Sequence, residues 1–347
     1  MAITTGSERD AGLTLAGLRM GAVASLTIAR RRQGRGFVYL DRKGRQISEP
    51  KVLDRIAALA VPPAYRDVRI AADAKAHLQA VGRDEAGRLQ YRYHPGWEAV
   101  REAQKLERLA ATLAVLPRLR KQVRTDLARR TLSREKALAC AVAIMDGAHI
   151  RVGCEDYLKL SGSRGAATLM KDDVEIGSRR IELAFRAKGG KDASCAIEDA
   201  ALARALARLA ELPGRRIVQY VCGEGTRPIT ARDVNVYLSQ ATGRPITAKD
   251  LCQRAGCVLA SERFLAMEPG SSETARKHQV AGVMKAVSEI LGNTPAVARK
   301  SYVAGIVVEA FLDGRLKAAH RRTPGGGGRN RIEETLRRLV AGAKAGT

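Results

Sequence analysis

Several residues of this 347-residue chain stand where chemistry could be done. In the stretch Arg88–Tyr93, strand alternation puts Arg88, Gln90 and Arg92 on one face and Leu89, Tyr91 and Tyr93 on the other. An arginine face beside tyrosines suits phosphate contact; a half-buried sheet with a solvated basic face explains the pattern equally well. Tyr302 follows Gly292-Asn293-Thr294-Pro295, in which glycine ends a long helix, threonine caps the next and proline opens it. That spacing places Tyr302 about two turns along the new helix. Arg151 comes directly after an apolar helix face. Lys188 falls opposite the apolar face of Ile181–Lys188, beside Gly189-Gly190, where a loop tip can close. Each has an ordinary explanation on type alone: a surface tyrosine, a helix C-cap asparagine, a snorkelling arginine, a solvated hairpin lysine. The six cysteines form no C-x-x-C pair and lack accompanying histidine spacing, which argues against zinc. Reduced thiols of a cytosolic protein fit them better than disulfides.

Charge narrows the partner. The chain carries 61 Lys+Arg against 36 Asp+Glu, a net charge of +25. Such an excess suits a polyanion, because each phosphate contact releases condensed counterions. It argues against an ordinary enzyme of a small neutral substrate, although a basic, GC-rich proteome raises the same count. Hydrophobic residues make up 45% and aromatics 4%, so the cores are expected to be aliphatic and mostly helical. No stretch approaches a membrane span of roughly 20 apolar residues, and no signal peptide is evident at the N-terminus.

The elements that must position these residues fall into two parts. Residues 1–100 read as strands and turns. Phe37–Leu40 and Gln46–Ile47 flank an Asp41-Arg-Lys-Gly44 turn, and a second hairpin runs from His77–Gly82 to Arg88–Tyr93. Beyond residue 100 the spacing predicts helices over Glu98–Leu116, Ser133–Ala148, Glu198–Leu212 and Ser271–Leu291, with a strand pair at Arg180–Lys188 and Ser194–Ile197. Pro228-Ile-Thr-Ala-Arg-Asp-Val234 and Pro245-Ile-Thr-Ala-Lys-Asp-Leu251 are one capping solution used twice, each opening a helix. Gly325–Gly328 reads as a flexible break, followed by a basic tail whose residues 330–343 have the pattern of an amphipathic helix. The expected organisation is a β-rich domain over 1–100, a mainly helical domain over 101–322, and a Gly-rich linker with a basic tail over 323–347.

Taken together and in order, several motifs resemble type IB DNA topoisomerases of the bacterial and poxvirus kind, over roughly residues 10–320. They are Arg30-Arg-Arg-Gln-Gly-Arg-Gly-Phe37, Val61-Pro-Pro-Ala-Tyr-Arg-Asp-Val68, Gly82–His94, Ile150-Arg-Val-Gly153, Phe185-Arg-Ala-Lys188, Thr247-Ala-Lys-Asp-Leu251 and Leu291–Tyr302. The resemblance implies an α+β fold, with a small β-rich N-terminal domain and a larger, mainly helical catalytic domain of the tyrosine recombinase/topoisomerase IB type. It implies a monomeric, two-lobed clamp on duplex DNA, cytoplasmic and nucleoid-associated. It also implies transient single-strand cleavage through a 3′-phosphotyrosyl bond that conserves the bond energy, so that neither ATP nor a metal or other cofactor is required. By position, Tyr302 matches the nucleophile, Arg151 the first charge-stabilising arginine, Asn293 the His/Asn donor and Lys188 the general acid. Arg83, Arg88, Gln90, Tyr91, Arg92, Tyr93, Tyr157 and Lys249 match positions that contact DNA.

The chain departs from the pattern at Cys252, where the family has its second catalytic arginine. Arg254 lies two residues on, about 200° round a helix, so it points elsewhere unless the helix shifts or its side chain reaches around. Cys154 follows Gly153 where Asn or Lys is expected, Ser161–Leu169 is a degraded DNA-contacting stretch, and Asp173 stands where a basic residue or His is usual. Loss of one preorganised donor costs about 10²–10³ in rate. A working topoisomerase and a DNA-binding paralogue with weak or no cleavage both remain open. A tyrosine recombinase is disfavoured, because no His-x-x-Arg box surrounds Lys249–Ala255, and a basic structural protein does not account for the ordered motifs.

Overall fold

The computed structural model describes residues 17–325 and 328–345 and divides into two compact units after Gln104. The first unit is built on a five-stranded antiparallel sheet of order β2-β1-β3-β4-β5. Its strands are β1 (Ile28–Gln33), β2 (Gly36–Leu40), β3 (Arg66–Ile70), β4 (Leu78–Arg83) and β5 (Leu89–Tyr93). Helix α1 (Pro50–Ala58) packs Ile56 against Ile28, Val68, Ile70 and Ala80. The β4–β5 hairpin forms as expected. Phe37–Leu40 pairs along its length with β1 across a turn at Gly34. The segment expected as its partner also closes on it, through the Leu40–Gln46 bridge, with Ile47 N donating to Tyr39 O at 2.8 Å and Asp41 N to Arg45 O at 2.9 Å. The charged run in β1 gives no alternation to read. Instead Arg30 turns inward and donates to the carbonyls of Val61, Pro62 and Tyr65.

The second unit is mainly helical. Helix α2 (Gly96–Leu127) crosses the boundary at Gln104 and extends well past the expected end at Leu116. Burial of Leu119, Val123 and Leu127 offsets the cost of Pro117 inside the helix, about 3 kcal/mol. One core gathers around α3 (Arg134–Ala148), with apolar side chains of β7 (Arg180–Arg186), β8 (Asp192–Glu198), α5 (Ala200–Ala210) and α6 (Ala231–Thr242). Strand β6 (Val174–Ile176) completes a three-stranded sheet with β7 and β8, and the short helix α4 (Glu155–Ser161) precedes it in the chain. A separate hairpin joins β9 (Gln219–Cys222) and β10 (Gly225–Pro228).

A second core surrounds α7 (Ala248–Leu265), packed by α8 (Glu273–Ile290), α9 (Gly305–Leu312) and, through Leu316, α10 (Arg315–Arg322). Both expected caps form: Asp233 accepts from Thr230 N, and Asp250 from Thr247 N. Helix α11 (Arg329–Ala345) adds Ile332, Leu336, Leu339 and Val340 to this core. The segment read as a basic tail is therefore a packed helix of the unit. Part of the expected Gly325–Gly328 break lies outside the described residues. The fold is α+β, a small antiparallel sheet unit and a larger helical unit. Among the described residues no helix is long and apolar enough to cross a membrane.

Candidate active site

Tyr302 is presented by a broken helix. Thr294 caps a single turn at Pro295–Val297, accepting from Val297 N, and the chain then widens into a π-helical turn over Ala298–Tyr302. Tyr302 is the last residue of that turn, and Val303 is already extended. This differs from a continuous helix with Tyr302 two turns along. Insertions of this kind recur at functional sites. The turn closes through Val303 N to Ala298 O at 2.9 Å. The next amide, Ala304 N, donates to Cys257 Sγ at 3.4 Å instead of continuing the ladder to Arg299 O. Lys105 Nζ, buried in the helical unit, donates to Arg299 O (3.4 Å) and Val303 O (3.2 Å). On the other side the turn lies against α7 at Gly256, where an added Cβ would stand 3.0 Å from both the Cβ and the carbonyl oxygen of Tyr302. A side chain there would require the tyrosine's Cβ and carbonyl to give by a few tenths of an ångström.

Arg151 reaches the same place from the loop after α3. Its Cζ lies 5.9 Å from the centroid of the Tyr302 ring. Two glycines allow the loop to lie where it does. The Arg151 carbonyl accepts from Ala166 N at 2.9 Å, and a Cβ on Gly165 would fall 2.5 Å from both Arg151 O and Gly153 N. Gly153 itself has φ +83°. The loop is thus clamped backbone to backbone, which fixes the base of the arginine. Burial raises the Tyr302 phenol above its ordinary range, and the Arg151 guanidinium pulls it partly back.

Cys252 stands one turn before Gly256 on α7 and is 7% exposed. Burial pushes its thiol up to about 11, even with Arg151 and Arg254 acting to lower it, so it is neutral at physiological pH. Arg254 does not come round to the tyrosine. It is fully buried, with Nη1 2.6 Å from Glu333 Oε1 and Nη2 2.6 Å from Asp146 Oδ1. Arg120 and Arg329 bind the same two carboxylates, making a network of three guanidiniums and two acids between α2, α3, α7 and α11.

Asn293 follows Gly292, whose added Cβ would lie 3.9 Å from the Cβ of Ala187, next to Lys188. The C-terminal end of α8 therefore abuts the β7–β8 hairpin. The Asn293 side-chain Nδ2 and Oδ1 are both buried with no internal hydrogen-bond partner. Such an amide is costly unless something pairs with it. Lys188 is exposed on the hairpin, and its Nζ lies 5.2 Å from the ring centroid of Tyr157, itself half exposed. Tyr302, Arg151 and Cys252 thus come together, and Asn293 and Lys188 approach each other through adjoining segments. Lys249 is exposed at the first turn of α7. Asp173, expected to be basic, is buried and paired with Arg164.

In the sheet unit, β5 exposes the aromatic face. Leu89, Tyr91 and Tyr93 point outward while Gln90 and Arg92 are half buried. Tyr91 and Tyr93 stack at 6.3 Å between ring centroids, and Tyr93 stacks on Trp97 at 6.2 Å. Arg88 and Gln90 both bind Asp84, Arg83 lies by Asp67, and Arg92 donates to Ala60 O. This is not the arrangement of a basic strand face in solvent above an aromatic core.

Sequence reasoning passed over Lys105 and the Arg254 network. Lys105 had a readable signal: it lies four residues before Leu109 on the stripe that continues through Leu113 and Leu116. His149 was also passed over. It caps α3 in the left-handed conformation (φ +60°), and its Nδ1 is buried without a partner. Burial, then Arg254 and Arg329, bring its pKa down to about 4. The neutral fold therefore binds fewer protons than the unfolded chain between pH 6.5 and 4, and stability falls as pH drops through that window. We expect urea unfolding at pH 4.5 to show about 2 kcal/mol less stability than at pH 7.5 from this group. His149→Asn keeps a residue tolerant of the left-handed cap and should remove most of that difference. An unchanged pH dependence in the variant would assign the loss elsewhere.

A helical unit that carries a tyrosine on a broken helix beneath an arginine, preceded by a small antiparallel sheet unit, fits a DNA topoisomerase I core. The model of the eukaryotic DNA topoisomerase I catalytic core matches residues 95–310, and that of the bacterial DNA topoisomerase IB N-terminal domain matches residues 36–84. The chain belongs to the type IB DNA topoisomerase family. It is also similar to DNA topoisomerase 1B of Acanthamoeba polyphaga mimivirus, 28% identical over 294 residues, which covers 82% of this chain and 87% of the viral protein.

Proposed function

We propose that the protein relaxes supercoiled duplex DNA by cutting and resealing one strand through a 3′-phosphotyrosyl bond to Tyr302. The observation that carries this reading is Arg151 over the Tyr302 ring at the π-helical turn. Tyr302 loses its phenolic proton to solvent and attacks the phosphorus, and the new O–P bond replaces the bond from phosphorus to the 5′-oxygen, which leaves as the 5′-hydroxyl. Arg151 stabilises the charge that develops on a non-bridging oxygen, and the unpaired Asn293 amide donates to the same group. Lys188 leaves the Tyr157 ring to protonate the departing oxygen. Tyr91, Tyr93 and their arginine neighbours contact the duplex, together with Lys249 and Tyr157. The protein acts as a monomer on chromosomal DNA in the cytoplasm. Religation is the reverse attack, so neither ATP nor a metal enters the cycle.

Plasmid relaxation in EDTA without nucleotide tests the reading. Positively and negatively supercoiled substrates should both relax. Strict dependence on Mg²⁺ or ATP would reject it. A second reading, a DNA-binding paralogue with little cleavage, is favoured by one observation: Cys252 is neutral and Arg254 is committed to Asp146 and Glu333. Duplex binding without relaxation or covalent adduct would select it.

A further inference from the structure

The π-helical turn leaves carbonyls that no helix ladder satisfies. Ala304 N, which would bond Arg299 O in a continued π ladder, goes to Cys257 Sγ. Val307 N, which would bond Val303 O in an α ladder, goes to Ala304 O. Lys105 Nζ donates to both carbonyls, one before Tyr302 and one after it. The Cys257 thiol bonds the carbonyl between them, that of Tyr302 itself. Buried backbone acceptors are rarely left unpaired, so the turn keeps its shape only while these partners are in place.

Lys105 is itself held. Gln253, 3% exposed on α7, donates Nε2 to Lys105 O at 2.6 Å. Arg108, one turn further along α2, binds both carboxylate oxygens of Asp250 at 2.9 and 3.0 Å. The ammonium therefore projects from a helix tied at two points to the helix that also backs Tyr302 at Gly256. Ordinary core packing does not require a lysine here: the stripe it belongs to is otherwise made by Leu109, Leu113 and Leu116.

We propose that Lys105 is a positioning residue for Tyr302, gripping the carbonyls on either side of it so that the phenol is aimed while its helix stays broken. The role assigned to Tyr302 rests on the proposed strand-cleavage reading; the grip on the turn does not. The bonds that Lys105 makes to the turn go to backbone carbonyls, so the role assigned to it is exerted through the tyrosine's backbone.

The test compares Lys105→Met, which keeps length and apolar stem but removes the donor, with Lys105→Arg, which restores one. Single-turnover cleavage of a nicking substrate should fall about ten- to a hundredfold in Lys105→Met, since misplacement of a reacting group by about 1 Å costs up to that much. Religation should fall by the same factor, leaving the cleavage equilibrium and the duplex Kd unchanged. Lys105→Arg should recover most of the rate. A substrate with sulfur in place of the 5′-bridging oxygen, whose better leaving group needs no proton, should not rescue Lys105→Met. Rescue would make Lys105 an acid and overturn the positioning role, and so would an unchanged cleavage rate. Hydrogen exchange at the Val303 and Ala304 amides of the DNA-free protein reads the grip without chemistry. Protection there should drop in Lys105→Met and return in Lys105→Arg. If it does not change, the inference fails even where the wild type cleaves. If the wild type forms no adduct, the strand-cleavage reading fails, and the exchange result alone decides whether Lys105 holds the turn.

Discussion

Tyr302→Phe should abolish covalent attachment to DNA while leaving duplex affinity within about twofold. The substitution removes one atom. The Cβ and backbone of residue 302 keep their place against Gly256 and the ring its place under Arg151, and the backbone contacts of the turn with Lys105 and Cys257 do not involve the phenol. The charge that attracts DNA, +25 over the chain, is unaltered. Only the nucleophile is lost. Burial holds the wild-type phenol above its ordinary pKa despite Arg151, so it is protonated at neutral pH and must give up its proton as it attacks. Wild-type cleavage should therefore quicken with rising pH, and no such limb exists for the variant. Denaturing electrophoresis after incubation with a labelled duplex reads the adduct directly. A protein–DNA band from Tyr302→Phe would remove Tyr302 from the nucleophile's role, whatever the rate.

Much of this site was legible in the chain, because local rules write it. Glycine, threonine and proline at 292, 294 and 295 mark a helix end and a helix start, which isolates the tyrosine segment. Alternation across β5 sorted the tyrosines from the arginines correctly. It did not say which face is outward, because that depends on where the rest of the sheet unit finds its core, and the tyrosine face proved exposed. The break before Val303 was not legible either. Nothing in Ala298-Arg-Lys-Ser-Tyr302 forbids a regular helix; the widened turn is bonded by Lys105 and lies against Gly256, both far away in sequence. Arg254 divides the same way. Helical geometry alone turns it from the Cys252 face, but its partners are 79 and 108 residues distant, and no spacing rule connects them.

Those partners set the second large effect, a contrast between neighbouring positions on α7. Arg254→Ala should destabilise the fold by about 3–5 kcal/mol, because it leaves Asp146 and Glu333 short of a buried counter-charge. Although burial opposes it, the three guanidiniums hold the Asp146 carboxyl well below the usual range, so it stays ionised at neutral pH and does not escape by taking up a proton. The folded fraction of Arg254→Ala, assayed well below its Tm, should cleave near the wild-type rate, since this side chain faces the α11 network. Cys252→Arg should do the reverse. Cys252 lies on the tyrosine-bearing face, near enough to Arg151 for that charge to act on its thiol. A guanidinium there adds a permanent cation with a planar donor fork, which the thiol cannot imitate. Two guanidiniums without a phosphate between them repel, so a small loss in Tm is expected from the free protein. With DNA bound, that repulsion becomes attraction to the developing charge. Single-turnover cleavage should then rise by about tenfold or more, up to the 10²–10³ of a full contact. Denaturant melts and burst kinetics on both variants separate the two effects. A neutral Cys252→Arg of normal Tm would mean that the site already holds its full complement of charge. A cleavage-dead Arg254→Ala whose Tm has not moved would mean that Arg254 leaves its carboxylates to supply that charge when DNA binds.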